Sequence, residues 1–295
     1  MFGFISSGQV AAGLNTTATF GAEEIKRFLI PRFALEPETL PLKAGSANFL
    51  SQAFSTNNDG IVMTVLTVLL TIVLELASWA AVRMICRNKA GASLYAQGIL
   101  MNVMNNCVLG PVAYQLVNMH SISAPMGAAA RVRTVVYLLL GHAIGYYAAH
   151  RWMHTRRMYW AHRFHHRFNS YVVPVTANAV SLAEYGIAYM LPFIAGSAIV
   201  RPDRCSLFIA VGIISLNNLL IHTPGLCDLS AKYVPWLGVS TADHLEHHRR
   251  LTSFYAAPTI SVDRILIALF GKPDSWNADF DDDTQVKADA GRKAR

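Results

Sequence analysis

Charge is scarce in this chain. Only 15% of its 295 residues are Asp, Glu, Lys or Arg, against about a quarter in an ordinary soluble domain. Apolar residues make up 53% and the mean hydropathy is positive. Both features argue against a water-soluble globule and for a membrane protein. Cysteine is also sparse. Cys86, Cys107, Cys205 and Cys227 show no CxxC spacing and lie in or beside apolar stretches, which argues against a disulfide framework or a zinc ribbon. No basic run is interleaved with aromatics, so no nucleic-acid partner is expected. The net charge of +7 is assigned to loops facing an anionic leaflet of membrane lipids. Neither HExxH nor GxSxG occurs, which leaves a hydrolase without its usual motifs. The opening MFGFISSGQVAAG lacks a basic stretch and a long apolar core, so no cleavable signal peptide is expected. Asn15 begins a glycosylation triplet, which counts only if the N-terminus is lumenal.

Histidine is what the chain has in a pattern. Eight of its eleven histidines fall into three clusters: His150 and His154 (HxxxH), His162, His165 and His166 (HxxHH), and His244, His247 and His248 (HxxHH). Residues at i, i+3 and i+4 share one helix face, so each cluster aims its imidazoles in one direction. Neutral imidazole is the commonest protein metal ligand. Three converging faces supply more nitrogen than one ion can use, which points to a site for two metals.

The apolar segments place these clusters. Ile61 to Ile85 is long enough to cross the ~30 Å of hydrocarbon and closes with Arg83, Arg87 and Lys89. Leu94 to Val117 is apolar but carries Gln97, Asn102, Asn105, Asn106 and Gln115. It is either a polar-faced span or a re-entrant segment. Thr134 to Ala149 runs into the first cluster. Tyr185 to Val200 and Cys205 to Ile221 flank the short sequence Arg-Pro-Asp-Arg and read as a helical hairpin. Five arginines lie among the histidines of 150–167, which puts this segment on the cytosolic side. The hairpin then returns the third cluster to the same side. The expected fold is an all-α, polytopic membrane helical bundle of four to five spans with a cytosolic, histidine-lined helical cap.

Ligand chemistry narrows the metal. A structural zinc site closes with four ligands, and eight histidines exceed that. Magnesium and calcium prefer oxygen. Copper and nickel bind imidazole well, with selectivity set by geometry and supply. Iron suits an all-nitrogen site that keeps open positions for oxygen. Two irons can together supply the electrons that split the oxygen–oxygen bond, giving an oxidant able to attack an aliphatic carbon–hydrogen bond.

The stretch HRWMHTRRMYWAHRFHHRF, with Arg151 and Tyr159 in place, resembles the first two histidine boxes of the fatty acid hydroxylase/sterol desaturase superfamily of membrane di-iron oxygenases. HTPG at His222 and HLEHH resemble its central histidine and final box. The similarity spans roughly residues 134–272 and is nearest in look to the C4-methylsterol oxidase and sphingoid-base hydroxylase branches. Soluble di-iron proteins use Glu-x-x-His helices instead, and none occur here. By itself His222, before Pro224 and Gly225, is as well read as a helix C-cap as a ligand. The resemblance implies that it is a ligand. The implied set is His150, His154, His162, His165, His166, His222, His244, His247 and His248 around two iron ions, with no further catalytic residue. Asp243, Glu246 and Glu184 are candidate acceptors that would fix ligand tautomers. His142 is read as a packed helix residue and His120 as a loop residue. Trp152, Tyr159, Trp160 and Tyr171 are read as an interfacial belt. Two departures stand out: Ala143 occupies a position where many members carry an acid, and the spacer after the second box lacks the common His-Pro pair. The second implies a substrate that differs from those of the sterol enzymes.

The division expected is 1–60, an N-terminal segment; 61–133, membrane helices; 134–272, the di-iron domain; and 273–295, a polar disordered tail. The resemblance implies an oxidoreductase of the endoplasmic-reticulum membrane with a cytosolic active site. It would hydroxylate or desaturate an aliphatic carbon of a sterol, sphingoid or fatty lipid, or terpenoid-type metabolite. It would use O2 and electrons from a cytochrome b5/NAD(P)H reductase system. The alternative is a histidine-rich membrane metal transporter or metal-binding protein. Against that, few ionisable residues lie in the spans to mark an ion path.

Overall fold

A computed structural model describes residues 58–169 and 171–273. The amphipathic segment expected over 21–30, the triplet at Asn15 and the polar tail lie outside the described residues. Among the described residues there is no strand, and twelve α-helices follow in order. They are α1 (Asp59–Ala77), α2 (Trp79–Ile85), α3 (Lys89–Val103), α4 (Gly110–Asn118), α5 (Ala128–Met153), α6 (Tyr159–His166), α7 (Leu182–Glu184), α8 (Leu191–Val200), α9 (Arg204–Ile221), α10 (Cys227–Tyr233), α11 (Thr241–Arg250) and α12 (Val262–Phe270). π-helical turns join α3 to α4 (Met104–Leu109) and α7 to α8 (Tyr185–Met190). Each π turn is followed within two residues by a proline, Pro111 or Pro192. Proline removes an N–H and clashes with the carbonyl four residues back, so the ladder widens there instead of breaking.

Among the described residues, three helices are long and apolar enough to cross a membrane: Asp59–Ala77, Leu182–Val200 and Arg204–Ile221. The first is shorter than the sequence suggests. The run expected to continue to Ile85 breaks at Ser78, whose N–H bonds to both the Leu74 and Glu75 carbonyls before α2 begins. The polarity of α1 is inverted relative to a soluble helix. Its buried stripe is Gly60, Met63, Thr67 and Thr71, while Leu66, Leu69, Val73 and Leu76 face outward. Water would select the opposite pattern, whereas a lipid surround fits it.

The segment α3–α4 runs antiparallel to α1. Tyr95 donates to Glu75 at 2.6 Å near one end, Thr64 to the Asn106 carbonyl at 2.9 Å midway, and Gly60 faces Tyr114 at the other. Its asparagines have a shared task. Asn102 donates to the Val175 carbonyl, and Asn105 donates to those of Asn178 and Val180. Asn218 of α9 reaches Ala177 and Asn178 from the opposite side. The loop over Pro174–Asn178 is buried, and these amides pair carbonyls that would otherwise be stranded. Against α5, Gly145 lets α8 approach closely, since a Cβ there would sit 2.5 Å from the ring of Pro192.

The end of the bundle remote from the histidines is pinned by charge. Asp203 caps α9 and accepts from Ser206 N–H, Met126 N–H and Arg131. Burial pushes its carboxyl up, but these bonds prevail and hold it down at about 2. Arg204 pairs with Asp59 beside it. The other ends of α1, α5 and α9 approach the cap, where α6, α11 and their loops gather.

Candidate metal centre

Four elements bring nine imidazoles together. The last turn of α5 carries His150, and His154 is its C-cap. One face of α6 presents His162, His165 and His166, all buried. His222 is the C-cap of α9, and α11 presents His244, His247 and His248. Ser240 starts α11 with a capping box shared with Asp243, which satisfies free N–H groups and fixes the helix direction.

The nine fall into two groups. His150, His154, His162, His166 and His247 form one, and His165, His222, His244 and His248 the other. Within each group the candidate ligand nitrogens lie within 4.8 Å of one another. The groups adjoin, with the rings of His165 and His248 centred 4.7 Å apart, and those of His166 and His248 5.0 Å apart.

The outer nitrogens show which way the rings are committed. Nδ1 of His150 donates to the Tyr255 carbonyl, that of His222 to the Asn218 carbonyl, and that of His247 to the Ser253 carbonyl, each at 2.7 Å. Nδ1 of His166 donates to Oδ1 of Asn169 at 2.8 Å. Glu184, wholly buried, places Oε1 2.8 Å from Nδ1 of His162, a close contact without the alignment of a hydrogen bond. A carbonyl or amide oxygen only accepts, so the rings of His150, His166, His222 and His247 carry hydrogen on Nδ1 and a lone pair on Nε2.

The Nε2 atoms then face one another. Nε2 of His150 is 2.9 Å from Nε2 of His162, 3.3 Å from that of His154, and the latter is 3.2 Å from that of His166. In the second group Nε2 of His222 and His244 are 2.9 Å apart, and those of His244 and His248 3.1 Å apart. Nε2 of His247 is buried and has no hydrogen-bond partner. This many buried, neutral imidazoles with converging ring nitrogens is the donor set that a bound cation would take up. The residues of each group could hold a metal ion.

Burial holds the imidazoles neutral, as a ligand must be. It pushes His222 and His247 down to about 4, against opposing bonds to the Asn218 and Ser253 carbonyls. For His162, His165, His166, His244 and His248 burial again lowers the value most, and neighbouring imidazoles add to it.

The three candidate acceptors are placed differently from one another. Glu184 meets His162. Asp243 spends its carboxylate on Ser240 N–H and on Arg264, at 2.7 Å from Nη2. Glu246 pairs with Arg249 and Arg250 at the surface. Neither therefore takes up an imidazole, because α11 turns its histidine face inward and carries these carboxylates on its flanks. Tyr159 is also not in a belt. It is buried, stacks on His166 and lies 6.0 Å from His154, while Trp152 and Trp160 are exposed as expected. His142 is buried in α5 beside Tyr146 and Phe193. His120 is exposed beyond α4.

Several supporting residues were not evident in the sequence. Tyr255 gives His150 its carbonyl and packs its ring against His150, His154 and His247. Asp263 accepts from Ala256 N–H at 2.6 Å and so fixes the loop carrying that carbonyl. Backbone carbonyls leave no mark in a sequence. Asn169, three residues after His166, was the one acceptor that helical spacing could have shown.

The family model for fatty acid hydroxylase matches residues 135–267, a stretch holding all nine histidines. Residues 135–267 are a fatty acid hydroxylase domain. That domain belongs to the fatty acid hydroxylase/sterol desaturase superfamily, whose members are membrane-associated oxidoreductases and typically iron-dependent. Among curated proteins and solved structures, nothing matches the chain. In this fatty acid hydroxylase domain the histidine boxes lie on α5, α6 and α11, with His222 closing α9 between the last two.

Proposed function

We propose that this protein is a membrane-bound di-iron oxygenase that hydroxylates or desaturates an aliphatic carbon of a lipophilic substrate. The observation that carries the reading is the convergence of nine buried imidazoles in two adjoining groups. His150, His154, His162, His166 and His247 would hold one ion, and His165, His222, His244 and His248 the other. When bound, the irons supply the electrons and Lewis acidity needed to activate O2 toward a carbon–hydrogen bond.

The protein's own residues orient and seal. The carbonyls of Tyr255, Ser253 and Asn218 and the side chain of Asn169 hold ring tautomers and raise ligand basicity, and Glu184 stands beside His162 to do the same. Tyr146, Tyr159 and Tyr255 wall the histidines with aromatic surface and keep out bulk water. No side chain is needed as a nucleophile.

We further propose five membrane crossings: α1, α3–α4, α5, α7–α8 and α9. Antiparallel packing of α3–α4 on α1 supports this count. Exposed Arg156, Arg157, Arg163, Arg167, Arg249 and Arg250 lie at the histidine end, which favours a cytosolic face there. Electrons would come from a cytochrome b5/NAD(P)H reductase system, and the endoplasmic reticulum is the membrane we assign. Expression in a host with that reductase, followed by iron analysis and comparison of lipid extracts with and without the protein, tests the function. Two irons per chain and a new oxygen-dependent product are expected. Metal flux into vesicles without any oxidised product would favour a transporter.

A further inference from the structure

A cavity lies inside the helix bundle, away from the nine histidines. It lies between α1, α4, α5, α8 and α9 and is partly open to the outside. Its walls are mainly apolar, with Met63, Val117, Phe193 and Ile214 among them. Two of its lining groups are polar, buried and unpaired. Nδ1 of His142 has no hydrogen-bond partner, and neither does the hydroxyl of Tyr114. His142 is 1% exposed and Tyr114 5%. Buried polar groups in folded proteins are nearly always paired, and one that is not calls for an explanation. Both residues line this mainly apolar cavity, and a guest that fills the space with hydrocarbon and offers a hydrogen-bonding group to imidazole or phenol would pair them.

We propose that this cavity binds a lipophilic molecule carrying a hydroxyl or carbonyl group, with His142 as its hydrogen-bond partner and Tyr114 as a second. A hydroxyl suits His142 best, because it can donate or accept and so meets either ring tautomer. The cavity is divided from the metal centre by one aromatic layer. Tyr189 lines the cavity and packs edge-on against Tyr146, with centroids 5.2 Å apart. Tyr146 in turn packs against His150, also at 5.2 Å. His142 precedes His150 by eight residues, which places the two about 12 Å apart along α5. The site stands on the cavity and its unpaired groups, so it does not depend on the oxygenase reading.

The test is binding to the full chain in lipid nanodiscs, with dodecan-1-ol and dodecane as probes. The intact protein is expected to favour the alcohol by about tenfold, roughly one hydrogen bond's worth of discrimination. His142→Phe is expected to abolish that preference while still binding alkane, and His142→Asn to retain part of it. His165→Ala, altered only at the metal centre, is expected to keep the preference in full. Equal binding of both probes by the intact protein would overturn the proposal, and so would an unchanged preference in His142→Phe. If His142→Phe does not fold, a diazirine-bearing dodecanol decides the matter in the unaltered chain. Labelling is expected around Met63 or in Met190–Phe193, and labelling confined to other peptides would refute the site.

Discussion

Nε2 of His150 lies 2.9 Å from Nε2 of His162, while Nδ1 of His150 donates to the Tyr255 carbonyl and Nδ1 of His162 faces Glu184 at 2.8 Å. The approach of the two imidazoles makes physical sense with a cation between them, and the consequences can be tested in each group separately.

Removing one imidazole from either group should disable the centre. His247→Ala strikes the first group and His165→Ala the second. Oxidised product is expected to vanish in both, with iron content reduced and membrane insertion unchanged. Metal analysis, product assay and protease protection check this. Turnover retained in either variant would contradict the assignment.

Glu184 is expected to act through His162. Glu184→Ala leaves that ring without its acceptor, and loss of such a partner typically costs about 10–100-fold in metal affinity or activity. Glu184→Gln keeps shape and an acceptor oxygen and should recover much of the loss. Iron titration of the three proteins should rank them wild type, Gln, then Ala. Equal affinities would mean that Glu184 is only a packing residue.

Acid should destabilise the metal-free protein early. The values of His222 and His247 fall from the ordinary 6.5 to about 4 on folding, so the unfolded chain binds more protons than the native one between these limits. Their stabilising contribution is therefore full above pH 6.5 and is lost as pH falls towards 4. Each is worth about 3 kcal/mol at most. Thermal unfolding of metal-free protein should show a falling midpoint from pH 7 to 5. A flat profile would show that these rings do not titrate differently on unfolding.

The amide of Asn105 holds two carbonyls, those of Asn178 and Val180. Asn105→Leu strands both in a buried loop, at about 1–3 kcal/mol for each unsatisfied group. Hydrogen exchange or limited proteolysis should show the 174–180 segment opening before the rest. Unchanged protection there would contradict the role given to this residue.

Much of the centre was legible in the spacing of histidines, because helical periodicity alone directs residues at i, i+3 and i+4 to one side. His222 was not readable in that way, since one histidine at a helix end has no pattern, and only resemblance marked it as a ligand. Asp243 and Glu246 stood near histidines in sequence and yet their carboxylates go to arginines and a helix cap. Glu184, eighteen residues after His166, is the acid that meets a ring. Sequence distance along α11 says which residues are close, but not which flank of the helix faces inward.

Composition and periodicity thus determined a helical, lipid-compatible chain with three imidazole-bearing faces, because both depend only on local order along the backbone. The division of nine histidines into groups of five and four, the carbonyls that set their tautomers and the cavity beneath Tyr189 depended on how separate helices pack. Such contacts join residues far apart in the chain, and backbone groups that take part in them carry no residue-specific signal.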